Sequence, residues 1–395
     1  MEEKRNAVVL RGLKKYFPGT RALDWDEDDI IEVRQGEIHG LVGENGAGKS
    51  TLFQILMGIY DMTDGSMELF GEPYRPKNVY DAEKAGLSII MQQPNFAYNL
   101  TVAENIFLGQ DKKFLNKAGM INWKKQFEAA DEVLRKFKFD HISPTALLSE
   151  LGFEETKQVE IARALSSDPK VLLVDETSAA ISKSSVDTLY QLLKEQRDKG
   201  CAVIYISHFI DEVHELCDRV SILRDGRLIT RLEINDSVSP DFIIQNMVGR
   251  DVSDAVYRSE ENHSIGEVML ETKGLKKDGE FEGIDLSVCS GEIVGIAGIG
   301  GCGSDSFGKA LFGYERISGG EVYFKGKPVK LNSPLDAMRL GIGYIPKDRD
   351  KEGLFLIYDS VVNISAANMK NVSKHAVINH KTEQKIAVES IGKFL

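Results

Sequence analysis

The chain has 395 residues, enough for two or more domains rather than one core. Its 42% hydrophobic and 28% charged residues are ordinary for a globular protein, and a net charge of −12 argues against broad binding to nucleic acid or anionic lipid headgroups. The N-terminal MEEKRNAVVLRGLKKYF lacks the apolar stretch of a signal peptide, no apolar run reaches the length of a membrane span, and Cys201, Cys217, Cys289 and Cys302, without metal-type spacing, read as reduced cytosolic thiols.

In chain order, Ala7–Leu13 and Glu27–Arg34 read as strands, with an aromatic pair and a turn (Lys15 to Gly19) between them. An apolar run from Ile38 to Val42 then leads into Gly43–Glu44–Asn45–Gly46–Ala47–Gly48–Lys49–Ser50–Thr51, followed by a helical pattern at Leu52, Ile55 and Leu56. Strand, G-x-x-x-x-G-K-S-T and helix together make a phosphate-binding loop. Gly43, Asn45, Gly46 and Gly48 wrap an anion with backbone N–H groups while the helix N-terminus faces the same place. Lys49 would reach the β- and γ-phosphates of a nucleoside triphosphate, and Ser50 would hold Mg²⁺, with Thr51 completing the motif. A bare glycine-rich turn would not require Lys-Ser in this frame.

Ser66–Phe70 reads as a strand, Tyr80–Lys84 as a helix and Leu87–Met91 as a strand ending in Gln92–Gln93–Pro94. From about 95 to 166 the chain turns polar and helical, with Ala103–Leu108, Trp123–Phe137 and Glu155–Leu165 as helices. Alternation then returns: strand Val171–Val174, helix Ser185–Lys199, strand Ala202–Ile206, helix Ile210–Cys217, strand Val220–Leu223 and, past Gly226, Leu228–Ile229. The fold class is α/β, a mixed sheet with an inserted helical subdomain.

Val171–Val174 runs into Asp175–Glu176, which puts two carboxylates at the carboxyl edge of a sheet, where open α/β folds bind ligands. Asp175 suits a Mg²⁺ ion and Glu176 suits polarising a water for attack on the γ-phosphate. His208 follows Ala202–Ile206 and reaches the same edge, fitting a phosphate-sensing role as well as a structural one.

Polar, aperiodic residues 251–266 read as a linker between a first domain (1–250) and a second (267–395). The second repeats the first. Gly36–Gly43 matches Gly291–Gly298, and one ungapped register pairs Gly46 with Gly301, Gly48 with Gly303, Leu56 with Leu311, Gly65 with Gly320, Pro73 with Pro328 and Gly86 with Gly341. Opposite Lys49, Ser50 and Thr51 stand Ser304, Asp305 and Ser306, a degenerate loop without the lysine. The second copy reads as incomplete, stopping short of a counterpart to Val171–Glu176.

This order of parts resembles the ATP-binding cassette family, and within it the duplicated ATPase subunit of bacterial sugar importers of the ribose, galactose and xylose type. The matching stretches are VGENGAGKST (42–51), TVAENIFLG (101–109), VEIARAL (159–165), ISHFIDEVHELCDRV (206–220), LRDGR (223–227), GEIVGIAG (291–298), ALFG (310–313) and YIPKDRDKEGL (344–354). The resemblance implies a P-loop NTPase that binds ATP and Mg²⁺ and drives separate transmembrane permease subunits fed by a solute-binding protein. Such a subunit is peripheral, on the cytoplasmic face of the membrane. It further implies that Phe17 or Tyr16 stacks on adenine and that Gln92 senses Mg²⁺ and the γ-phosphate beside the membrane partner. Glu176 would be the catalytic base and His208 the switch histidine. Ser178–Ile181 would be the loop that crosses to the other nucleotide domain. The sequence departs from the family's Leu-Ser-x-Gly-Gln signature at Leu151–Gly152–Phe153–Glu154–Glu155, where Glu154 would face the γ-phosphate and repel it. The expectation is a chain that binds Mg-ATP but turns it over poorly alone, with a regulatory, non-catalytic subunit as the alternative.

Overall fold

The computed structural model describes residues 5–92, 96–177, 183–235, 238–249, 265–298, 302–346, 352–375 and 377–393. The chain divides into two compact units, Met1–Tyr257 and Arg258–Leu395. Most of the expected linker lies outside the described residues.

The first unit opens with β1 (Asn6–Phe17), β2 (Thr20–Asp24), β3 (Ile30–Arg34), β4 (Ile38–Val42), α1 (Lys49–Leu56), β5 (Asp64–Leu69), β6 (Glu72–Pro73), α2 (Val79–Ala85) and β7 (Leu87–Ile90). A helical stretch follows, with α3 (Val102–Ile106), α4 (Trp123–Lys136) and α5 (Phe153–Ser166). Then come β8 (Val171–Asp175), α6 (Lys183–Asp198), β9 (Ala202–Ile206), α7 (Ile210–Leu216), β10 (Arg219–Arg224), β11 (Arg227–Glu233) and α8 (Pro240–Val248).

Two sheets carry this unit. The antiparallel one runs β2-β1-β5-β6, with β3 also on β1. The central one runs β11-β10-β4-β9-β8-β7, parallel throughout except for the hairpin β10–β11. Val171 to Val174 and all of β4 and β9 are buried, as strands covered on both faces must be. One core, with Leu10, Trp25, Leu52 and Phe53, fills the space between the sheets around α1. The other, with Ile90, Phe114, Leu134, Val159 and Val174, joins the opposite face of the central sheet to the helical stretch.

Local chemistry explains several boundaries. The Thr101 hydroxyl accepts from the Glu104 N–H at the start of α3 while the Glu104 carboxylate accepts from the Thr101 N–H. Strand β2 is absent from the sequence reading because TRALD has no clear apolar alternation. It forms because Pro18–Gly19 makes a tight hairpin that pairs Phe17 with Thr20.

The buried strand β4 carries one polar side chain, His39, which is fully satisfied. Its Nδ1 lies 3.0 Å from Glu37 Oε1 and its Nε2 2.8 Å from Ser221 Oγ on β10. Arg219 donates to both Glu37 oxygens at 2.7 Å. Burial pushes Glu37 up, but the hydrogen bonds and charges of His39 and Arg219 outweigh it and bring the carboxyl down to about 2. Burial lowers His39, against Glu37, which raises it.

The second unit has β12 (Val268–Lys277), β13 (Phe281–Cys289), α9 (Ser304–Leu311), β14 (Gly319–Phe324), β15 (Lys327–Val329), α10 (Pro334–Leu340) and α11 (Ser360–Ala366). Its antiparallel sheet runs β13-β12-β14-β15 over a small core of Leu275, Phe281, Phe307, Ala310 and Val322. Element for element, α9, β14 and α10 fall in the register of α1, β5 and α2. One expectation fails: residues 292–298, matched in sequence to β4, form no strand, and Ile293 is 99% exposed. β4 is held by β9 on one side and β10 on the other. Among the described residues of the second unit no strand runs beside 292–298, so its backbone has no ladder to join.

Because the folded Glu37 titrates below its unfolded value, its contribution is complete above about pH 4.5 and is lost as pH falls toward about 2. Denaturant melts of Glu37→Gln at pH 7 should show a loss of about 3 kcal/mol. The difference from wild type should shrink as pH falls through that window.

Candidate functional site

Residues 43–48 turn β4 into α1. Gly48, the residue before α1, has φ +100°, and an added Cβ would come within 2.5 Å of the Ala22 carbonyl oxygen. At Gly43 a Cβ would fall 2.3 Å from the Leu223 carbonyl oxygen. The loop is therefore wedged between β2 and β10, while Gly46 (φ +85°) points into open space. No side chain caps α1 and its first turn holds no acid, so its N–H groups stay available for an anion. Lys49 Nζ folds over the loop and donates to the Gly43 carbonyl at 2.7 Å and to that of Glu44 at 3.0 Å. Burial lowers the Lys49 pKa, while the nearby charges of Glu176 and Asp175 pull it back up. Thr51 follows in the first turn of α1. Gly43, Glu44 and Asn45 share a surface pocket with His208 and Met247.

The two acids stand beside this loop at the end of β8. Burial, then the charge of Glu176, pushes Asp175 up to about 6, against a hydrogen bond from Ser50 and the charge of Lys49. Its Oδ1 is buried without a hydrogen-bond partner. A buried carboxylate with an orphaned oxygen, next to a second acid and a serine hydroxyl, is a donor set that fits a hard divalent cation.

Glu176 sits at φ +41°, an uncommon conformation for a side chain of its size, and its N–H donates to the Ile206 carbonyl on β9 at 3.0 Å. Gln92 Nε2 donates to Glu176 Oε2 at 2.7 Å, and His208 Nε2 lies 2.6 Å from Glu176 Oε1. The His208 turn is itself held: Ser207 Oγ donates to Glu212 and accepts from the Phe209 N–H. Lys49, Ser50, Gln92, Asp175, Glu176 and His208 thus converge from four stretches of sequence.

Of the other expected residues, the aromatic pair has partners of its own. Phe17 packs edge-to-face on Tyr60, with Lys15 Nζ 4.9 Å from its ring centre. Tyr16 is the more exposed of the pair, its hydroxyl donating to Asp24 at 2.6 Å. Ser178–Ile181 falls outside the described residues. Glu154 does not point freely from the start of α5. Its carboxylate accepts from the Ser185 hydroxyl of α6, and Glu155 Oε2 accepts from the Gly152 N–H at 2.9 Å. In the second unit Gly303 (φ +86°) precedes α9 much as Gly48 precedes α1, but Ser304 stands in place of the lysine. Sequence reading missed Lys157 and Glu160, whose side chains hold Met91. No local signal marked them, because residues on nearly every side of this helix are buried.

The fold and these groups define a P-loop ATPase cassette. A model of the ABC transporter family matches residues 28–179. The chain is 35% identical over 388 residues to the ribose import ATP-binding protein RbsA of Bacillus cereus, covering 98% of this chain and 76% of that protein. It is 37% identical over 383 residues to a putative ribose/galactose/methyl galactoside import ATP-binding protein of Burkholderia ambifaria, covering 97% and 72%. A solved nucleotide-free ATP-binding cassette from an ABC transporter superposes with a TM-score of 0.51 at 23% identity, over 65% of this chain and all of that one. The chain belongs to the ABC transporter ATP-binding proteins, and it binds ATP.

Gly48→Ala should strain the loop against β2. We expect a stability loss of about 1–3 kcal/mol with ATP binding weakened beyond it, measured by thermal melting and nucleotide titration.

Proposed function

We propose that this chain is the ATP-hydrolysing subunit that energises import of a sugar of the ribose or galactose class. The two relatives described above are named a ribose import ATP-binding protein and a putative ribose/galactose/methyl galactoside import ATP-binding protein. The observation that carries the reading is Glu176, held by Gln92 on one oxygen and by His208 on the other, beside Lys49, Ser50 and Asp175. Each oxygen of an ionised carboxylate has two lone pairs, so one remains on each to receive a proton.

In this reading the loop from Gly43 to Gly48 and the N-terminus of α1 hold the phosphates. Lys49 leaves its loop carbonyls to pair with the β- and γ-oxygens. Tyr16 or Phe17 stacks on adenine. Mg²⁺, bound by Ser50 and Asp175 with Gln92 in reach, would neutralise phosphate charge. Glu176 takes a proton from a water as its oxygen bonds to the γ-phosphorus and the bond to the β-phosphate oxygen breaks, leaving ADP and phosphate. His208 orients Glu176 and faces the developing phosphate charge. Transmembrane permease subunits and a solute-binding protein complete the importer, with this chain peripheral on the cytoplasmic face. Among the described residues no helix is long and apolar enough to cross a membrane. The second unit, with its matched register and lysine-free loop, would be a second cassette of reduced competence.

The start of α5 favours a second reading, a chain that holds ATP but hydrolyses it slowly alone. There Glu154 is engaged by Ser185 and the Gly152 N–H by Glu155, so the helix N-terminus meets its own acids before any phosphate. Turnover measured beside binding separates the two. Glu176→Gln should leave ATP affinity intact and cut any turnover by about 10²-fold or more. Lys49→Ala should weaken ATP binding by about 10- to 100-fold. Turnover that survives Glu176→Gln would overturn the role given to Glu176. Binding without turnover in the wild type would select the second reading.

A further inference from the structure

Lys157 and Glu160 are buried charges on α5, 0% and 6% exposed. They stand about one helical turn apart, Lys157 Nζ lying 2.8 Å from Glu160 Oε2. Each also reaches outside the pair to the same residue. Lys157 Nζ donates to the Met91 carbonyl, and Glu160 Oε1 accepts from the Met91 N–H at 2.9 Å. Both backbone groups of Met91 are therefore held by one ion pair.

The place of Met91 gives this meaning. The ladder between β7 and β8 ends where Ile90 pairs with Val174. Met91 is the first residue past that ladder, with a donor and an acceptor that the sheet no longer satisfies. The next residue is Gln92, whose amide donates to Glu176. A buried ion pair seldom adds stability over apolar packing of the same volume. What this one supplies is direction, since it fixes the peptide planes on both sides of Met91 and so the exit path of the chain.

We infer that Lys157 and Glu160 are positioning residues that clamp Met91 and thereby aim the Gln92 amide at Glu176, making the placement of Gln92 depend on the placement of α5. The turnover arm of the test rests on the function proposed above; the spectroscopic arm does not.

In nucleotide-free protein the Gln92 side-chain amide resonance can be assigned by its absence in Gln92→Ala. Its position when unbonded can be read in Glu176→Ala. The variant Lys157→Met/Glu160→Met removes both charges together, so none is left buried alone. It should move the Gln92 amide to the unbonded position while the thermal melt stays cooperative. Lys157→Met/Glu160→Gln, whose amide can offer an oxygen to the Met91 N–H and an N–H to the Met91 carbonyl with no ammonium beside it, should retain the bonded position, and Lys157→Met/Glu160→Leu should lose it. An amide resonance that is unmoved in Lys157→Met/Glu160→Met, or in Lys157→Met/Glu160→Leu should the former not fold, would overturn the inference.

With Mg-ATP, Gln92→Ala and the pair variant should each lower kcat by about tenfold with KM within about twofold. Combining them should lower it no further, because both act through one amide. Losses that multiply would mean the pair is merely structural. If the wild type shows no turnover, the proposed hydrolysis fails while the amide resonance still decides the clamp.

Discussion

A parallel strand covered on both faces can place polar side chains at low cost only where it leaves the sheet. In β4, β8 and β9 that constraint is severe, because nearly every residue is buried. The parallel register then brings all the exits to one edge. Asp175 lies opposite Ile206, so Glu176, the first residue past β8, and His208, the second past β9, fall within bonding reach. The loop that follows β4 arrives beside them because β4 pairs with β9. Burying these groups at the edge has a cost, visible in Asp175 pushed up to about 6, first by burial and then by Glu176, and in Lys49 pushed down by burial. A phosphate beside Lys49 and a cation beside Asp175 would relieve both at once.

Much of this was legible in the sequence because its signals are local. A glycine-rich loop between an apolar strand and a helix, or four aliphatic residues running into Asp175–Glu176, can be read without knowing what packs where. The central sheet followed from the alternation of strands and helices. Three features were not legible. Strand β2 is polar and owes its existence to the hairpin turn before it. The clamp on Met91 joins residues more than sixty positions apart, and nothing in VEIARAL tells which face meets β7. The start of α5 was readable as a departure from the family pattern but not in its consequence. Glu154, expected to confront a phosphate, is taken up by Ser185 of its own unit.

The second unit separates two kinds of folding information. Its antiparallel sheet is built from β12 to β15, hairpin neighbours and near neighbours in sequence, and forms a ladder like that around β1. Residues 292–298 have the composition of β4 and even its glycine spacing, yet they stay outside any strand. A parallel strand takes its partners from far along the chain, and composition alone does not supply them. The match between the two halves is thus strongest where structure is local. It is weakest where a ladder depends on distant strands or where chemistry depends on Lys49.

Taken together, these contacts give α5 a role larger than its length suggests. Its first turn is tied through Glu154 to Ser185 on α6, the helix that follows β8 and its two acids. Its second turn is tied through Lys157 and Glu160 to the end of β7. Val159, Ile161 and Leu165 belong to the same core as Ile106 of α3 and Leu134 of α4. A helix pinned to the end of β7 and to the start of α6 cannot shift without disturbing either Gln92 or α6. Hydrophobic packing would have held it as firmly, but packing resists all displacements alike. Hydrogen bonds to a single peptide resist rotation and translation of that peptide in particular, and orientation is what a carboxylate shared by Gln92 and His208 requires.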